Sequence, residues 1–181
     1  YKFIRRAIEE AGFVHLHGLV QTSTNKTYRQ GIDSPEQLEN GFPSTRDELF
    51  NYQGLIIGSQ KAAALSQDQI ALIKDFVDVR GGSLLMLGGL SGLGDGGWQN
   101  TVVADILPLQ LIQGDADTFV RMQTPAYATA AALRSPWLRF ADNEIENQDR
   151  WNLLPEIADY QIVGEARPGA TVLLEVQHSQ G

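Results

Sequence analysis

The stretch from residue 54 to residue 97 constrains the fold most. Residues 54–58 (GLIIG) are a short run of continuous apolar character. Ser66 followed three residues later by Gln69 has the form of a capping box, in which each side chain satisfies a backbone N–H left open by the first helical turn. Ile70, Ile73 and Val77, with Leu72 and Phe76, then recur at helical spacing and make a broad apolar face. Gly81 and Gly82 stop the helix, and residues 83–87 (SLLML) are a second apolar run. Strand, amphipathic helix and strand within about 35 residues predict a βαβ unit. Unbroken apolar strands predict a sheet covered on both faces. The expected class is α/β.

The flanking segments carry weaker signals. Residues 2–11 predict a helix with Phe3, Ile4, Ala7, Ile8 and Ala11 on one stripe and Gly12 as its stop. Residues 13–20 predict a strand, and residues 21–30 a polar loop. Ser34, Pro35 and Gln37 predict a short helix ended by Gly41; Thr45 and Glu48 repeat the capping box for another, ending near Tyr52. Beyond Gly97, residues 101–107 predict one or two helical turns and residues 118–123 a strand. Residues 142–154 predict a helix capped by Asp142 and stopped by Pro155. Residues 160–165 and 171–176 predict strands joined through the turn sequence Arg167-Pro168-Gly169. There is no internal repeat, and 181 residues suit a single domain, 1–181.

Composition narrows the partners. Twenty-two acidic against fourteen basic residues give a formal charge of −8, so charge draws this surface neither to nucleic acid nor to anionic lipid. The longest mostly apolar stretch, residues 84–93, is broken by glycine and far short of the ~18–20 residues that span a bilayer. The chain has no cysteine, which excludes disulfides, thiolate metal sites and cysteine nucleophiles and leaves the compartment open. It starts at Tyr1 with no leader pattern, and a polar run closes it after an apolar segment. These features suggest a piece of a longer protein.

Glycine dominates the loop after the second apolar run. Six of the ten residues from 88 to 97 are glycine, and Gly92, Gly94 and Gly97 satisfy G-x-G-x-x-G. The dinucleotide fingerprint needs its first glycine at the strand-to-helix turn, and Asp95 sets a negative charge where a pyrophosphate would lie; a tightly turned or flexible loop is the simpler reading. Ser91 sits in G-L-S-G-L, one residue away from a nucleophile elbow, because Leu93 stands where glycine is required. His15 and His17 fall on one face of the predicted strand, but spacing offers no third metal ligand.

The strings K-T-Y-R-Q-G (26–31), G-F-P (41–43), T-R-D-E-L-F (45–50) and G-G-S-L-L-M-L-G-G (81–89) resemble the glutamine amidotransferase-like domain of large bacterial membrane proteins that often carry a von Willebrand factor A-type domain. The resemblance continues more thinly through Leu107-Pro108, Trp151, Leu154-Pro155 and residues 168–174. It implies a flavodoxin-like three-layer sandwich with a mostly parallel sheet, helices on both faces, and truncation at both ends. It also implies a membrane-anchored bacterial parent. In active members of that superfamily a nucleophilic cysteine sits on an elbow after the strand, which corresponds here to Gly88-Gly89, and a later His-x-Glu completes the triad. Neither the cysteine nor His-x-Glu occurs, so glutaminase chemistry is excluded for these residues.

The expected function is therefore a non-catalytic binding or interaction module without cofactor or metal. Its ligand would sit at the carboxyl ends of the strands. The candidate ligand-binding residues are Arg29, Ser59, Gly88, Gly89, Ser91, Asp95 and Trp98. The alternative is a hydrolase acting on a small polar or sugar-like substrate through Ser91 or rim carboxylates. Expected partners are other domains of the parent, a small molecule, and a second copy of the chain. The last follows because the strand that normally precedes the first helix is missing, so residues 171–176 either fill that slot or chains exchange strands.

Overall fold

In the computed structural model, which describes residues 2–23, 26–113 and 117–177, helix α1 spans Lys2–Ala11 and ends at Gly12 with φ +71°. Its i,i+4 pairs Arg5–Glu9 and Arg6–Glu10 support the helix from outside, while none of its residues is buried. The predicted strand 13–20 and loop 21–30 are replaced by a hairpin. Strand β1 (Gly18–Ser23) pairs antiparallel with β2 (Lys26–Gln30), setting Leu19 against Arg29 and Val20 against Tyr28. Most of β2 is exposed, so the backbone ladder holds it without apolar alternation, and periodicity is blind to it. The short helix expected from Ser34 to Gly41 is a run of i→i+3 turns. Leu38, at φ +53°, is incompatible with continuing a helix.

The capping box expected at Ser34 and Gln37 does not form, since Gln37 Oε1 accepts from Asp33 N–H instead, but those at Thr45 and Ser66 do. Helix α2 (Arg46–Leu49) is capped by Thr45 with Glu48 reciprocating. After β3 (Gly54–Ile57), helix α3 (Gln67–Asp78) is capped by Ser66 with Gln69, and β4 (Ser83–Met86) pairs with β3. Leu49, Leu72 and Phe76 form a core cluster against which Phe42, Phe50, Tyr52, Leu55 and Val77 pack.

The remaining strands are short. Phe119–Val120 forms β5 and Ala126–Ala128 forms β6. Helices α4 (Ala130–Arg134) and α5 (Glu144–Asn152) follow, the latter capped by Asn143 rather than Asp142. Strand β7 (Tyr160–Gln161) pairs antiparallel with β5, and β8 (Leu174–Val176) pairs antiparallel with β6. The turns predicted for residues 101–107 appear as a 3₁₀ helix, Val102–Ile106, capped by Thr101.

These pairings overturn the expected flavodoxin-like, mostly parallel sandwich. Every sheet among the described residues has two strands, and the β1–β2, β5–β7 and β6–β8 pairs are antiparallel. A parallel sheet grows by repeating helical crossovers, and among the described residues only β3–α3–β4 joins two paired strands through a single helix; β1 and β2 meet as a hairpin, and the two- and three-residue strands beyond β4 pair with partners distant in sequence. The covered sheet faces are corrected too, since Ile56 in β3 and Leu85 in β4 are exposed. The late strand fills no central slot, because β6 takes it as partner. The chain divides into two compact units, Tyr1–Gly58 with Ala64–Leu85, and Ser59–Ala63 with Met86–Gly181.

Two consequences can be measured. A Cβ at Gly82 would run into the Phe76 ring, whereas one at Gly54 would meet only Ser83 O at 3.8 Å. Gly82→Ala should cost ~1–3 kcal/mol in chemical denaturation, and Gly54→Ala should cost far less. The Ser44 backbone N–H, donating to Glu48 at 2.9 Å, holds the Glu48 carboxyl below its ordinary value. A depressed carboxylate stabilises the fold above its unfolded pKa of about 4.3, and that stabilisation is lost as pH falls through the folded value. Replacing Glu48 by Gln should therefore flatten the fall in stability below that pH.

Candidate functional site: the glycine-rich loop

Strand β4 leads directly into the glycine-rich loop, and several of its glycines are required by contact. Gly89 has φ +146°, and a Cβ there would collide with the Ser59 hydroxyl. At Gly92 a Cβ would lie 2.8 Å from Leu87 O, and at Gly96 it would lie 2.5 Å from Ser91 O. The loop folds back on itself through Gly92 N–H donating to Gly89 O and Gly96 N–H donating to Gly92 O.

One side chain on β7 holds this loop. Gln161 Oε1 accepts from Gly89 N–H at 3.1 Å. Its Nε2 faces three acceptors: Gly92 O at 2.8 Å, Thr118 Oγ1 at 3.0 Å and Asp95 Oδ2 at 3.1 Å. Buried Thr118, beside β5, returns both its N–H (2.8 Å) and its hydroxyl (3.1 Å) to Asp95 Oδ1. Three parts of the chain far apart in sequence are thereby closed into one polar network.

The sequence candidates are mostly spent on structure. Trp98 is fully buried, and its indole N–H donates to Gln60 O at 2.7 Å. Asp95 serves the network. Gly88 and Gly89 lie against Gln161, and Ser59 lies against Gly89. Among the described residues the half-buried Ser91 hydroxyl makes no hydrogen bond. Arg29 belongs to the other unit, where its guanidinium donates to Pro35 O at 2.6 Å and Gln37 O at 2.9 Å. The structure brings Ser59, Gly88, Gly89 and Asp95 together. Thr118 and Gln161 were invisible as partners, since nothing in the sequence marks which distant polar residue will meet a loop.

The two histidines do not pair. Residues 13–17 are not a strand, and His15 is exposed. Gln37 Nε2 can only donate, so His17 Nδ1, at 2.9 Å, accepts; it also lies 3.2 Å from the Tyr52 hydroxyl. The ring proton then sits on Nε2, 3.3 Å from Asp33 Oδ2 but out of line for a hydrogen bond. Burial, the largest effect, pushes the Tyr52 phenol above its ordinary value. Among the described residues no group of three or more His, Asp or Glu could hold a metal ion.

Beside the loop, Leu90, Asp95, Asp117, Phe119 and Arg121 line a depression of about 330 Å³. The Arg121 guanidinium lies over the Phe119 ring, 5.9 Å from its centroid.

Comparison with solved structures places the fold beside two bacterial proteins. The cytoplasmic protein STM3548 from Salmonella typhimurium is 21% identical with a TM-score of 0.59, the likeness covering 90% of this chain and 75% of that one. The cytoplasmic protein STM1381 from Salmonella typhimurium LT2 is 20% identical, also at a TM-score of 0.59, over 90% and 76%. No protein-family model and no curated protein matches the sequence. The membrane-anchored parent implied by the sequence resemblance finds no support in these comparisons; both solved structures are described as cytoplasmic proteins. No described helix is long and apolar enough to cross a membrane.

The network predicts its own test. Gln161→Leu should leave buried polar groups of the loop unpaired and cost ~1–3 kcal/mol. Hydrogen exchange should quicken at the Gly89 and Thr118 amides; unchanged protection there would mean that the loop is held by other contacts.

Proposed function

We propose that this chain is a non-catalytic binding module whose ligand surface adjoins the glycine-rich loop. The observation that carries the reading is at Gly88-Gly89, where the family resemblance implies a nucleophile. Neither residue has a side chain, and a Cβ at Gly89 would strike Ser59 while one at Gly88 would stand 3.3 Å from Gln161 Oε1. A nucleophile introduced there would have to displace the contacts that hold the loop. A hydrolase built on Ser91 needs a base hydrogen-bonded to its hydroxyl, and among the described residues the hydroxyl makes no hydrogen bond. The groups of the loop that remain open to solvent recognise rather than react.

Glutamine hydrolysis at high protein concentration should equal the buffer blank. A thermal-shift screen of small polar metabolites should raise the melting temperature with at least one compound. Turnover that scales with protein through purification would overturn the non-catalytic reading, and a screen without a single shift would overturn the small-ligand reading.

A further inference from the structure

We propose that the depression beside the loop is a site for a small zwitterion, a molecule with an ammonium and a carboxylate on one apolar body. The inference rests on the binding-module reading and adds the ligand class. Among the described residues the Arg121 guanidinium forms no hydrogen bond or ion pair, and its single recorded contact is the Phe119 ring. A guanidinium free to present its fork suits a carboxylate, which it can bind through two parallel hydrogen bonds. Asp117 is exposed and likewise makes no hydrogen bond among the described residues. Asp95 has Oδ1 taken by the two Thr118 groups, but Oδ2 takes a single hydrogen bond, from Gln161, and keeps a free lone pair. Those two carboxylates suit an ammonium. Leu90, 61% exposed, and Phe119 supply the apolar wall.

Charge decides between ligand classes. A phosphate or dicarboxylate would face two carboxylates in a chain of net charge −8. A simple amine would leave Arg121 unanswered. A zwitterion answers both signs. About 330 Å³ lies at the small end of the ~300–1,000 Å³ usual for ligand sites, which suits a molecule the size of an amino acid.

The test is an NMR titration of the full chain with three isosteric probes: L-leucine, 4-methylpentanoate and 3-methylbutylamine. L-leucine should give saturable shifts at Leu90, Phe119 and Arg121, and each half-charged probe should bind about tenfold more weakly, as expected for one lost charge-assisted contact. Arg121→Gln should weaken L-leucine and the carboxylate probe but not the amine, and Asp117→Asn should weaken L-leucine and the amine but not the carboxylate probe. Both positions are exposed, and the comparison of probes on the native chain does not depend on the variants. Equal binding of all three probes, or no saturable binding of L-leucine, would overturn the zwitterion site. In either case the module reading stands or falls separately, on glutamine turnover and the metabolite screen.

Discussion

The side-chain amide of Gln161 is the contact on which the loop depends. A loop rich in glycine gives up more backbone entropy on ordering than any other, at roughly 0.5–1 kcal/mol per glycine relative to alanine. Contacts that exist only in the folded state must offset that cost. Gln161 contributes one acceptor and two N–H donors at a single point, and it reaches both ends of the first loop turn together with Asp95 and Thr118. Because Gln161 lies in β7 and Thr118 directly precedes β5, the register Phe119–Gln161 and Val120–Tyr160 fixes where the network sits. Trp98, whose indole is tied to Gln60 O, holds the far end.

The local part of this architecture was legible in the sequence. Capping boxes at Thr45–Glu48 and Ser66–Gln69, the apolar face of α3 and the stop at Gly81 depend on residues within one or two turns of each other, and all of them form. The flavodoxin-like sandwich was not legible, because it came by resemblance from an expected sheet order. Sheet order rests on which strands meet: strands expected within residues 118–123, 160–165 and 171–176 are present as the shorter β5, β7 and β8, but periodicity does not name their partners, and three-residue β6 leaves no periodic trace. The hairpin β1–β2 was hidden for a different reason: its polar faces read as loop.

At the site, sequence reasoning selected residues by chemical type. Trp98, Asp95 and Arg29 were chosen as an aromatic, a carboxylate and a cation beside loops, yet each is occupied in holding backbone. Burial and hydrogen-bond saturation separate structural polar groups from available ones, and neither can be read from residue type. Asp95 keeps one lone pair beside that role, and the other groups left available, Arg121 and Asp117, lie in a segment whose sequence has no motif at all.

The most direct measurement of the central claim is a double-mutant cycle between Asp95→Ala and Gln161→Leu, with stability read by chemical denaturation. If the two side chains act in one network that holds the loop, the cycle should show a coupling of about 0.5–3 kcal/mol. Effects that add to within ~0.3 kcal/mol would contradict the account, because they would mean that Asp95 and Gln161 stabilise the chain independently.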